Sequence, residues 1–338
     1  MSRRKHRNYG LDLVKILACI LVLCLHSLVP TSIVVKSSLV NLSVYYAGTV
    51  AIPIFFMASS YFVLNKRTIS YLYVMKRIGE ILFIIIGWVL LYSIAYLCVK
   101  HKFIFFEELK GTAFLGIPHQ HFYHFWFFWA LIMMLLLSPL LWYLLQKSFF
   151  GYLILTAIVT LICISIDISM HFGNSSNVHD IPQVFRLYLY VEYYLLGGLV
   201  GNIHFKKVKN FCKKNFVMIS VVTALLYIEV IIYSIWNKDI IHWAYAEANY
   251  GNALIIFTSV LILIIFSISS PHGKNIIEFI IPATMGIYML HPFFIGKLMK
   301  IHILHSYPIL MIPVLFILCL VIVEIALRIP LVNRFFKL

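Results

Sequence analysis

The stretch Arg7–Pro30, RNYGLDLVKILACILVLCLHSLVP, is the reading on which the rest of the chain turns. A bilayer core of about 30 Å takes roughly 20 apolar residues to cross as a helix, and this run is long and apolar enough to do so. It nevertheless carries Asp12, Lys15 and His26. A charge near the bilayer centre costs about 2.5–3.5 kcal/mol on insertion scales, so polar groups inside a span point to function. Lys15 and His26 are eleven residues apart. At about 100° and 1.5 Å per residue, that spacing returns them to nearly one helix face, about 16 Å apart. A cation at one end of a stripe and an imidazole at the other suit a long ligand with an anionic head.

The whole chain continues in the same vein. Of its 338 residues, 62% are hydrophobic and 12% charged, and the mean hydropathy is +0.96. That composition indicates a multi-span membrane protein. A formal charge of +15 does not indicate nucleic acid here, because the basic residues sit in short loops between apolar runs, as membrane topology demands. The first apolar run follows RRKHR, is too long for a signal-peptide core and lacks an A-x-A-like cleavage site, so it reads as retained. No polar linker interrupts the chain, which suggests one membrane domain over residues 1–338 without a soluble appendage. The six cysteines form no C-x-x-C and read as small buried hydrophobes.

Ten spans of about twenty residues are expected near 11–30, 44–64, 78–98, 125–145, 149–168, 184–203, 215–236, 250–269, 276–297 and 308–328. The fold class is therefore an all-α bundle of about ten transmembrane helices. Alternate loops carry Lys66, Arg67, Lys76 and Arg77, then Lys147, then the run Lys206–Lys214, then Lys274, and both ends of the chain are basic. The other loops dilute fewer lysines with Glu107, Glu108, Asp180, Asp239 and Glu247. The positive-inside rule then places both termini in the cytoplasm, as an even number of spans requires. Lys15 lies toward the inner face and His26 toward the outer one.

Other polar groups qualify as candidates. The longest outer loop runs into HQHFYHFWFFWAL, with His119, His121 and His124; H-x-H-x-x-H without a carboxylate or thiolate is no zinc signature, and no metal is expected. Trp126 and its neighbours read as an interfacial aromatic belt or as a wall over an outer site. Glu192 and Glu229 are intramembrane carboxylates that either pair with a cation elsewhere in the bundle or serve a reaction. His291, in GIYMLHPFF, falls at a depth comparable with His26.

Four stretches together resemble the membrane-bound acyltransferase-3 family, which includes cell-envelope and polysaccharide O-acyltransferases. They are Lys15-x10-His26 preceded by Leu-Asp-Leu, the segment IPIFFMASSYFVL, His124-Phe-Trp126-Phe127 with Ser138-Pro139 beyond it, and Gly286-Ile-Tyr288-Met-Leu-His291-Pro292. They extend from the first expected span to the ninth. Two departures stand out. The family's Arg-x-x-Arg at the third span is Lys76-Arg77-Ile-Gly-Glu80 here, and Ser60 replaces a usual glycine, the latter expected to affect packing alone. The resemblance implies an O-acyltransferase of the cell membrane that moves a short acyl group, acetyl above all, from cytoplasmic acyl-CoA to a hydroxyl of an envelope glycan or lipid-linked saccharide. It implies His26 as the base, Lys15, Lys76 and Arg77 as donor-binding cations, and His124, Trp126, Tyr288 and His291 on the acceptor side, where Glu192 is expected as well. Partners implied are membrane lipid, acyl-CoA, the saccharide acceptor and polysaccharide-assembly proteins, with no permanently bound cofactor.

Two rival readings share some of these features. A transporter or flippase for a lipid-linked saccharide would also use intramembrane polar residues and an aromatic path, although the sequence shows no repeated half and no paired broken helices. A sensor or scaffold that keeps the fold without the activity is left open by Glu80.

Overall fold

Asn8 starts the first helix: its side-chain oxygen accepts the Leu11 N–H at 3.1 Å, satisfying one of the donors that every helix start leaves orphaned. Helix α1 (Tyr9–Ser27) then runs through the middle of the bundle. Its first turn is tied down by Arg7, whose Nε lies 2.6 Å from Asp12, and by the Tyr9 hydroxyl, which donates to Glu278 at 2.5 Å. The computed structural model describes residues 7–29, 38–113, 115, 121–172, 181–241 and 248–336. The regular elements among them are helices, with no strand.

After α1 come α2 (Leu39–Ala47) and α3 (Ala51–Val63), joined through a single 3₁₀ turn into one apolar rod. The long α4 (Tyr71–Lys100) is followed by the short α5 (Phe105–Thr112), and then by α6 (Trp126–Lys147) and α7 (Phe149–Phe172). Next are α8 (Leu187–Gly201), the basic α9 (Lys206–Lys214), α10 (Phe216–Ile240) and α11 (Ala253–Ile268). The chain closes with α12 (Lys274–Ile280), α13 (Thr284–Leu298), α14 (His302–Ser306) and α15 (Met311–Arg328).

Among the described residues, eight helical segments are long and apolar enough to cross a membrane. They coincide with eight of the ten expected spans. At the other two expected positions stand α8, of 15 residues, and α11, of 16. At 1.5 Å per residue these are about 22 and 24 Å long, short of a core of about 30 Å. Asn252 caps the start of α11 through its side chain, and a 3₁₀ turn at Gln183–Phe185 precedes α8. Both helices are packed inside the bundle, whereas α7 and α10 turn most of their apolar surface outward.

The core is set by close approach of α3 and α8. A Cβ placed on Gly197 would collide with the Met57 carbonyl oxygen and with Ser60 Oγ, so only glycine permits this distance. Ser60 is fully buried there and donates to its own helix, at Met57 O, 3.1 Å away, which agrees with a packing role for the serine. Asn65 ties the next turn across the same seam, donating to Gly198 O at 2.9 Å. Gly197→Ala must push two helix backbones apart, an overpacking that costs about 1–3 kcal/mol. Thermal unfolding of the purified variant in detergent should show a clear loss of stability; an unchanged midpoint would mean that the seam is looser than it looks.

Candidate active site

The site is assembled where the far end of α1 meets the start of α6 and the middle of α13. His26 occupies the last turn of α1 and is partly exposed. Its Nδ1 lies 2.9 Å from the hydroxyl of Tyr123, a residue of the 3₁₀ turn that opens α6. The ring of His291, from α13, stands 4.9 Å from the His26 ring, and the His124 ring stands 5.6 Å from that of His291. Three histidines widely separated in sequence thus meet in one cluster. Tyr288 completes it, with its ring 5.5 Å from His124 and 5.9 Å from His291, and its hydroxyl donating to the His124 carbonyl.

The His-Pro pair in α13 has a direct physical reason. Pro292 stands inside the helix and has no N–H, so it cannot bond the carbonyl four residues earlier, that of Tyr288. That freed carbonyl instead receives His291 Nδ1 at 2.7 Å, with Ile287 O a longer second partner at 3.3 Å. A carbonyl can only accept, so Nδ1 carries the proton and Nε2 carries a lone pair. His124 is fixed in the opposite sense: Nε2 donates to Met289 O at 3.2 Å, leaving the lone pair on Nδ1. Both rings are buried, at 0% and 1% exposure, and no described protein group donates to His291 Nε2 or His124 Nδ1. A buried acceptor left unpaired costs about 1–3 kcal/mol, so these two lone pairs are where an added hydrogen-bond donor would be stabilised.

The other acceptor-side candidates are placed differently. Trp126 stacks on Tyr190 at 5.6 Å, and Tyr190 on Phe56 at 4.6 Å, so it forms an aromatic layer behind the histidines. Glu192 is two residues from Tyr190, about 200° around α8, and faces α7: Thr160 Oγ1 donates to its Oε1 at 2.6 Å. The structure therefore does not bring Glu192 to the histidines. Glu229 lies on the exposed face of α10. His121 is engaged by Glu108 and Tyr92, and His119 lies outside the described residues.

At the opposite end of α1 the cations meet aromatic rings. Lys15 Nζ sits 4.6 Å from the Phe62 ring centroid and Lys66 Nζ 3.4 Å from that of Tyr73. Lys209, from α9, donates to the Tyr61 hydroxyl at 3.3 Å, and the Tyr61 and Phe62 rings are 5.4 Å apart. Trp142 and Gln146 of α6 hold the intervening loop by its Lys66 and Leu64 carbonyls. Arg77 is 6.0 Å from the Tyr73 ring but is bound at 2.8 Å by Glu80. Lys76 is exposed, one position away on the helix, and joins none of these contacts. Such a group of cations on aromatic faces suits phosphate-bearing ligands. Reading the sequence missed Tyr123 and Lys209. Tyr123 was visible only as part of an aromatic run, and Lys209 as one lysine among five in a loop.

The fold defines a multi-pass membrane helix bundle with polar side chains gathered at two ends of one helix. The family model Acyl_transf_3, an acyltransferase domain, matches residues 8–328. The chain therefore belongs to the membrane-bound acyltransferase-3 family and is an acyltransferase of the kind that uses acyl-CoA. Neither a curated protein nor a solved structure matches it.

The tautomer argument yields a test. Pro292→Ala restores an N–H that competes with His291 for the Tyr288 carbonyl, and it should leave the helix at least as stable. Acyl transfer should nevertheless fall, by about tenfold for one misdirected hydrogen bond. Equal kcat in the folded variant would remove the fixed His291 tautomer from the mechanism.

Proposed function

We propose that the protein is an O-acetyltransferase that moves the acetyl group of cytoplasmic acetyl-CoA to a hydroxyl of a cell-envelope glycan or its lipid-linked precursor. The observation that carries this reading is the cluster itself: lone pairs of His124 and His291 that lack protein donors, beside His26, about 16 Å along α1 from Lys15. In this reading the Lys15 end faces the cytoplasm, as the basic loops require, and the chain makes ten spans, with α8 and α11 completing the set.

The acceptor hydroxyl comes to the cluster with its oxygen toward the thioester carbonyl. His26, with its Nδ1 proton directed at the Tyr123 oxygen, keeps the Nε2 lone pair free to take the hydroxyl proton as the O–C bond forms. The carbonyl then re-forms, the C–S bond breaks, and the leaving thiolate takes the proton from His26. His124 and His291 accept hydrogen bonds from neighbouring hydroxyls of the acceptor and fix which one reacts. Lys15, with Lys66, Lys209 and Arg77, holds the donor's phosphates. Glu80 holds Arg77 in an exposed ion pair, worth about 0.2–1 kcal/mol, and weakens this contact relative to a second arginine.

Kinetics separate these roles. His26→Ala should cut kcat by roughly 10²–10⁴-fold, the usual share of general-base catalysis, while leaving acyl-CoA binding nearly intact. Lys15→Ala removes an attraction present in both ground and transition states, so it should raise the KM for acyl-CoA more than it lowers kcat, and Lys15→Arg should retain most activity. Glu80→Gln should lower the donor KM by about two- to fivefold, as Arg77 is released. Label transfer from radioactive acetyl-CoA and calorimetric donor binding give the two readouts. Loss of donor binding in His26→Ala but not in Lys15→Ala would reverse the assignment.

The topology is tested independently. Single cysteines in a cysteine-free variant should react with an impermeant reagent from outside within 100–120 and 237–249, and not within 204–214. External labelling of the basic 204–214 segment would invert the orientation and with it the donor side.

A further inference from the structure

Beside the histidine cluster lies a second constellation that the transfer chemistry does not use. Glu108, on α5, is buried, with a side chain only 5% exposed, yet among the described residues it meets no lysine or arginine; its partner is His121, whose side chain is 46% exposed. His121 donates its ring Nδ1–H to Glu108 Oε1 at 2.9 Å and its backbone N–H to Oε2 at 3.2 Å. With the proton on Nδ1, Nε2 accepts from the Tyr92 hydroxyl at 2.8 Å. Both ring nitrogens are thus engaged, and what His121 offers outward is its face.

Two further rings stand beside it. The Tyr92 ring is 4.5 Å from His121, and the Phe293 ring, 6.4 Å away, is nearly parallel to it at 9°. Phe122, fully buried, backs both, 5.6 Å from Tyr92 and 5.3 Å from Phe293. These rings adjoin the histidine cluster through Phe122: His121 is two residues from Tyr123, which bonds His26, and Phe122 between them packs on Phe125, whose ring is 4.8 Å from that of His124.

We propose that Tyr92, His121 and Phe293, with His121 held in place by the buried Glu108, form a platform for a sugar ring of the acceptor, next to the ring whose hydroxyl is acylated. The proposal rests on the acyltransferase reading and deepens it by naming a saccharide-binding subsite. A pyranose presents an apolar C–H face and a polar rim, and the platform presents the complement. Its aromatic faces take the C–H side, while the Tyr92 oxygen, its proton committed to His121, accepts from a hydroxyl. An interfacial aromatic belt needs one polar tip in contact with water and gains nothing from a desolvated carboxylate. Here the carboxylate holds an imidazole at a set angle, which is pre-organisation of a binding face.

The test uses full-length protein in detergent with the methyl glycosides of glucose, galactose and N-acetylglucosamine as probes, binding being followed by saturation-transfer NMR. Phe293→Leu keeps apolar bulk and removes the π face, so it should weaken binding of the glycosides that the wild type takes by about 3- to 10-fold. It should raise the acceptor KM by the same factor and leave the acyl-CoA KM unchanged. Phe293→Tyr should bind as the wild type does. Glu108→Gln, nearly isosteric, should weaken binding likewise, and it decides the matter if Phe293→Leu does not fold. Absence of binding to the wild type, or equal binding by wild type and these variants, overturns the proposal. Acyl transfer that persists without any glycoside binding would overturn the platform alone. Phe293-dependent binding without acyl-CoA turnover would keep the platform and sink the transferase reading.

Discussion

Lys15 and His26 share one helix, and the backbone hydrogen bonds of α1 hold the distance between the two ends of the site. No side-chain rearrangement can alter a separation fixed at about 1.5 Å per residue. Everything else is arranged around that ruler. α3 and its tyrosine and phenylalanine close over the Lys15 end, while the opening turn of α6 and the middle of α13 close over the His26 end. Because α1 is packed by so many neighbours, neither end can shift without the other.

Inside a bilayer every buried polar group has to be satisfied by the protein. The histidine cluster meets this condition in part, by means that need no added charge. Pro292 withholds one N–H, and the carbonyl so released orients His291. The Met289 carbonyl orients His124, and the Tyr288 hydroxyl steadies the backbone of His124. Each imidazole is held by one nitrogen, so its other nitrogen points a lone pair in a defined direction. Histidine suits this use because one nitrogen can be committed to structure while the other stays basic.

Much of this was legible from the sequence, and the parts that were not have physical reasons. The helical class and the pairing of Lys15 with His26 follow from hydropathy and helical periodicity, which are local properties. His291 could be matched to His26 in depth because both lie at countable positions along spans, and the structure brings their rings together. Depth alone carries no azimuth, however. Glu192 faces α7 and Thr160 rather than the histidines, and Lys76 points away from the cations around Tyr73 while Arg77 turns toward them. Tyr123 was hidden because a tyrosine in an aromatic run looks like any interfacial tyrosine until its hydroxyl is seen against an imidazole. Hydropathy also gave no sign that α8 and α11 are shorter than the other helices, because the caps and turns that end them rest on single residues.

Those two short helices bear on how an acyl group could pass from one face to the other. At about 22 and 24 Å, they are shorter than the roughly 30 Å of hydrocarbon around them, and both lie in the interior of the bundle beside α3 and α1. At these two positions the interior of the bundle is spanned by less helix than its periphery. The peripheral α4, α7 and α10, of 30, 24 and 25 residues, match the bilayer with their exposed apolar faces. The centre is thereby freed from that requirement. On the proposed reading this is what lets a donor held by its phosphates at Lys15 present its thioester at His26 without leaving the cytoplasmic side. The span to be bridged is set by α1 and its short neighbours, whereas the thickness of the membrane is met in large part by α7 and α10, which supply no residue to the proposed site.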